Sequence, residues 1–127
     1  MTDAELIDLV KTYFAAVDAE DLRGALATLT PDCVFTVETH GVRLQGHDEI
    51  ARMLTRLWAN HEAVLHNRFI FLPASALGRI AAQFQVTNTL SDGGKVYKSN
   101  CNFFHVDGGA FDSVAVYMAG ENTLNRA

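Results

Sequence analysis

Cysteine is scarce in this sequence: Cys33 and Cys101 are the only two, too few for a disulfide scaffold and outside any CxxC pair. Both read as free, buried thiols. No apolar run is long enough to span a bilayer. The opening MTDAELIDLV lacks the basic segment, apolar segment and cleavage site of a leader, so a cytoplasmic protein is expected, with no membrane partner. Lysine and arginine number 10 against 15 acidic residues and form no basic stripe, which argues against nucleic acid. Disorder is excluded too, because 49% of the residues are hydrophobic and 20% charged. No repeat, linker or low-complexity stretch interrupts the chain, so residues 1–127 are read as a single domain with one core.

What is present is periodicity. Thr2 with Glu5 makes a capping box, and Leu6, Val10, Tyr13, Phe14 and Val17 follow at helical spacing. Asp18 or Asp21 then caps a shorter helix carrying Leu22, Ala25, Leu26 and Leu29, which Pro31 ends. A strand is expected over 33–38, with THG as its turn and VRLQ as its partner. Gly46 precedes a third helix in which Ile50, Met53, Leu54, Leu57 and Trp58 form one apolar face, and Asn60 stops it.

Beyond it the sequence reads as strands at 62–72, 79–90, 95–106 and 110–118, turned by SDGG and DGG and broken once at Pro73. The fold class is therefore α+β: three N-terminal helices packed on a curved, mostly antiparallel sheet. A curved sheet over a long helix makes a cone, and a cone not filled by side chains holds a pocket.

The stretch KSNCNFFHV bears on that pocket. Asn100, Asn102 and Phe104 share one face of their strand by alternation. Asparagine is depleted in strands and a buried amide needs a partner, so these amides are read as facing a ligand oxygen.

LVKTYFAAVDAEDLRGALATLTPDCVF, LQGHDEIARML and FFHVDGGAFDSVAVYMAG resemble the nuclear transport factor 2-like superfamily, in particular its SnoaL-like and ketosteroid isomerase-like branch, over nearly the whole chain. The resemblance implies the cone fold, and a scaffold that hosts isomerases, dehydratases, cyclases, epoxide hydrolases and non-enzymatic binding domains. It also implies that Tyr13 matches the tyrosine that donates to a substrate oxyanion. Asn102 falls where those enzymes carry a protonated aspartic acid as second donor, a site that the handling of neutral carboxylic acids in apolar pockets has made familiar. An amide donates there without any change of protonation. The chain departs at the base, whose aspartate aligns with Val37. Glu38 is one step on, facing the other way. His66, Asn100 and Asn102 are similar to the histidines and strand amides of the scytalone dehydratase-like branch.

The base is thus sought in His66 first, as a histidine titrating near neutrality, then in Glu38 and His40 beside the turn. His105 alternates to the outer face. HEAVLH has one residue more than a zinc protease HExxH, and His47, His61, Cys33 and Cys101 have no zinc-site spacing; no metal and no other cofactor is expected. Trp58, Phe84, Phe104, Val116 and Met118, with Val37, Val86 and Val114, are core or pocket wall, which favours a small apolar or aromatic ligand.

Cys101, Phe103 and Tyr117, with Phe69 and Phe71, are expected on the outer sheet face. An apolar face of that kind points to a homodimer packed sheet to sheet. The function expected is a cofactor-free enzyme that moves a proton on an apolar carbonyl compound, polyketide- or steroid-like, by isomerisation, dehydration or cyclisation. The alternative is a non-catalytic domain that holds such a ligand.

Overall fold

The computed structural model describes residues 1–120. Helix α1 (Asp3–Asp18) starts at a reciprocal cap: Glu5 N–H donates to Thr2 Oγ1 at 3.1 Å and Thr2 N–H to Glu5 Oε1 at 2.9 Å. Those hydrogen bonds hold the Glu5 carboxyl below its ordinary range. Leu6, Val10, Tyr13, Phe14 and Val17 are all buried, as their spacing requires. Helix α2 (Leu22–Ala27) is capped by Asp21, which accepts from Gly24 N–H at 3.0 Å.

The chain leaves α2 earlier than Pro31 would demand. Leu29 already opens β1 (Leu29–Val37), and Pro31 lies within that strand. It is tolerated because β1 and its neighbour lose register between Leu29 and Val34, so no ladder bond needs the missing N–H. A 3₁₀ turn (Glu38–His40) with Gly41 at φ 67 leads into β2 (Val42–Gln45). Helix α3 (Gly46–Asn60) follows, burying Ile50, Met53 and Leu54.

The remaining strands are β3 (His61–Ala74), β4 (Arg79–Leu90), β5 (Lys95–Asp107) and β6 (Ala110–Met118). All six form one curved, unclosed sheet in the order β2-β1-β6-β5-β4-β3. Only the β1–β6 pair is parallel. Pro73, expected to end β3, lies inside it opposite Ile80. As an edge strand β3 has a side on which no N–H is needed.

A second departure sits in the same strand. Arg68 has φ 56, and the pairing with β4 slips between Asn67 and Ile70. This bulge adds one residue, so the faces exchange beyond it. Phe69 and Phe71 were expected outside. Instead Phe69 packs inward, its ring 5.3 Å from Phe14 and 5.6 Å from Phe84, with Phe71 stacked on it at 5.4 Å. Ile70 and Leu72 face outward, 57% and 68% exposed.

Candidate functional site

The inner face of the sheet is written in rows by the strand register. Ala82, Asn102, Val116 and Val37 form one row across β4, β5, β6 and β1. Phe84, Asn100 and Met118 form the next, and His66, Val86 and Lys98 the one after, on β3, β4 and β5. Between these rows and the helices lies a cavity of about 100 Å³ that opens to solvent. Tyr13 and Phe14 of α1 and Met53, Leu54 and Leu57 of α3 close it.

The sheet side of this cavity carries three amides, not two. Asn102, Asn100 and Asn88 are 3%, 8% and 2% exposed and all line the cavity. Each has a buried Oδ1 with no hydrogen-bond partner among the described residues. A buried amide in that state is destabilising unless something outside the chain completes it.

Tyr13 lines the same space, 3% exposed, with its ring edge-on to Phe14 at 5.0 Å and to Phe104 at 6.3 Å. Burial pushes its phenol far above the ordinary tyrosine range, and Cys33 and Asp18 push the same way. Across neutral pH the hydroxyl keeps its proton and can donate it.

His66 also lines the cavity, and it does not stand alone. Asp18, the last residue of α1, accepts from the His66 backbone N–H at 2.8 Å and from its ring Nδ1 at 2.5 Å. A carboxylate only accepts, so Nδ1 carries the hydrogen and the lone pair is left on Nε2. The ring rests on Phe14 at 4.6 Å and Phe84 at 5.5 Å. Asp18 had been a candidate cap for α2. Asp21 does that work, and Asp18 is free to orient the histidine.

Other expected residues fall elsewhere. Glu38 and His40 are exposed on the turn after β1 and do not line the cavity. The chain leaves the strand at Val37, which does line it, so neither following side chain points inward. His40 Nδ1 meets Thr39 Oγ1 at 2.9 Å. Trp58 is outside the lining, its indole N–H donating to the Val17 carbonyl at 2.9 Å. Phe104 lies behind the wall against Phe111 at 4.6 Å. Phe84, Val116 and Met118 do line the space.

Asn88, Lys98 and Asp18 went unnamed as site residues in the sequence. Alternation alone puts Lys98 on the face of Asn100, and Asn88 on that of Val86. Asp18 is one helical turn from Phe14.

Outside the cavity, His105 pairs with Asp112 at 2.7 Å. Cys33 is fully buried, its thiol pushed up to about 12 by burial and then by Asp112 and Asp32. Cys101 is half-buried and its thiol is raised by burial. Among the described residues no group of three or more His, Cys, Asp or Glu side chains converges on one point. No helix among them is long and apolar enough to cross a membrane.

The model of the SnoaL-like domain family matches residues 10–114. Among curated proteins none matches in sequence. Solved structures share the fold. A protein from Xanthomonas campestris pv. campestris, provisionally named a polyketide cyclase, is 20% identical with a TM-score of 0.83, covering 91% of this chain and 90% of its own. TerC, co-crystallised with polyporic acid, is 15% identical with a TM-score of 0.77 over 88% and 89%. A protein with a ketosteroid isomerase-like fold from Catenulispora acidiphila, in complex with trimethylamine, is 14% identical with a TM-score of 0.77 over 86% and 83%.

Proposed function

Because the chain belongs to the SnoaL-like domain family, we propose that residues 1–127 are one such domain, a cofactor-free enzyme that transfers a proton on an apolar carbonyl compound. The observation that carries this reading is His66 in the wall of a cavity that also holds Tyr13 and Asn102, its ring Nδ1 held from behind by Asp18 at 2.5 Å. It supplies the base that Val37 cannot.

His66 Nε2 takes a proton from the carbon beside the carbonyl, and Asp18 stabilises the imidazolium that results. Tyr13 and Asn102 donate to the oxygen as it becomes negative, each worth about 2.7–4 kcal/mol at the transition state. The apolar wall, Phe14, Phe84, Val116 and Met118 among it, keeps water from competing. Return of the proton at another position isomerises the substrate; loss of a hydroxyl dehydrates it; attack on a second carbonyl closes a ring. Polyketide- or steroid-like ring systems suit the wall. The provisional cyclase name of the Xanthomonas protein and the polyporic acid beside TerC support that class. Isomerase and lyase are the activities to assay, and the cytoplasm is where we place them.

Val37 favours a second reading, a domain that holds the same ligand without chemistry. One experiment separates the two: deuterium exchange from solvent into C2 of 1-tetralone, followed by NMR, alongside binding of 2-naphthol. Exchange above background that is lost in His66→Gln supports the enzyme. Naphthol binding with exchange at the background rate supports the binding domain.

We also infer a homodimer through the outer sheet face. Ile70, Leu72, Phe103 and Tyr117 are between 43% and 68% exposed there, and Phe103 and Tyr117 meet at 5.8 Å. A patch of that kind is seldom left in water.

A further inference from the structure

Asn88 takes no part in the proton transfer, yet its place in the cavity wall calls for a reason. It sits mid-strand on the inner face of β4, is 2% exposed and lines the cavity. Its cross-strand partners are Val64 on β3 and Val96 on β5, and Val86 and Leu90 flank it along its own face. All four side chains are aliphatic and have no donor to offer. Lys98, next along the face of β5, has a partner of its own. The Asn88 Oδ1 is buried with no partner among the described residues. Asparagine is depleted in strands, and a valine or leucine would complete this wall without stranding a polar atom. An amide oxygen that nothing in the fold completes points to a ligand that does.

The oxygen only accepts, so the ligand must bring an O–H or N–H to it. A protonated amine is disfavoured there, because Lys98 stands beside the site and none of the described lining residues is Asp or Glu. A hydroxyl fits.

We propose that Asn88 is a hydroxyl-binding subsite at the opposite end of the cavity from Tyr13 and Asn102, so that the substrate is elongated and carries a hydroxyl remote from its ketone. This rests on the cavity being the substrate site and adds the length and second polar group of what it takes.

The strand register places that group. His66 pairs with Val86, so Asn88 lies one strand across and two residues on, about 8 Å away between backbones. Asn102 is six residues along β5 from Val96, the partner of Asn88, about 20 Å at strand rise. Asn102 and Asn88 are therefore on opposite sides of the row that holds His66. With the ketone against Tyr13 and Asn102, the carbon that loses its proton passes His66 and the hydroxyl reaches Asn88. One ring is too short for that span; two or more in line suit it.

The test uses three linear probes: 4-phenylphenol, 4,4′-biphenol and 4′-methoxybiphenyl-4-ol, titrated by calorimetry into wild type, Asn88→Leu and Asn88→Thr. The readout is the ratio of affinities within each protein, so that a general change in the pocket cancels. In wild type the biphenol should bind roughly 5-fold or more tighter than either of the others, beyond the factor that its two equivalent ends supply. Asn88→Leu should erase that preference, and Asn88→Thr, which keeps an acceptor oxygen, should retain part of it. Biphenol and phenylphenol binding alike in wild type, a methoxy probe as tight as the biphenol, or a preference that survives Asn88→Leu overturns the subsite and leaves the cavity reading standing. No binding of any probe overturns both.

Discussion

Asp18 and His66 are separated by 48 positions in the chain, yet one carboxylate accepts both the backbone and the ring N–H of the histidine. The end of α1 is thereby tied to the edge strand β3, and the imidazole has one orientation and one tautomer. A histidine held in this way presents one fixed ring to the cavity before any ligand arrives.

The first prediction concerns that tie. In Asp18→Asn the negative charge facing the imidazolium is gone, while most of the volume is kept. Proton exchange into 1-tetralone should fall by about 100-fold or more, with 2-naphthol affinity within about twofold. If exchange persists at the wild-type rate, His66 is not acting through Asp18.

The amides set function against stability. Asn100→Leu removes a buried polar group whose oxygen has no partner and fills the space with carbon. Thermal unfolding should move upward, by about 1–3 kcal/mol of stability, while 2-naphthol affinity drops. A lowered melting temperature would mean that the amide is satisfied within the fold.

Much of this was legible in the sequence, and what was not has identifiable causes. β4, β5 and β6 show themselves by alternation and glycine turns, and the helices by caps and apolar spacing. The shared face of Asn100 and Asn102 needed only a period of two. The Asp18–His66 pair needed the packing of α1 against β3, which no local pattern encodes. The bulge in β3 carries no glycine to mark its positive φ; Arg68 occupies it instead. Lys98 carries no mark of its burial in the sequence, because lysines ordinarily point to water.

Tyr13 gives a prediction in pH. Its phenol is raised by burial, whereas in the unfolded chain it titrates near the ordinary value, about 10. Above that pH the unfolded state loses a proton that the folded state keeps, so stability present below about pH 10 is lost as the pH rises further. A phenolate absorbance titration should show that the step removed by Tyr13→Phe lies above the ordinary range and accompanies unfolding. A step near pH 10 without unfolding would contradict the burial.

The outer face is tested by charge. Leu72→Lys and Phe103→Glu each place a full charge on side chains that are 68% and 49% exposed, with little expected change in thermal stability of the protomer. Sedimentation should show a dimer in wild type and a monomer in the double variant. A wild-type monomer at micromolar concentration would remove the dimer from the account.

The slip at Arg68 has one more consequence. From Ala63 to Asn67 the even-numbered positions of β3 look inward, Val64 and His66 among them; past Arg68 the odd-numbered ones do, Phe69 and Phe71 among them. This stretch is thus spelled in two reading frames, the first addressed to the cavity and the second to the underside of α1. Deleting a single residue there would leave the composition of the strand almost untouched and still turn Ile70 and Leu72 into the core.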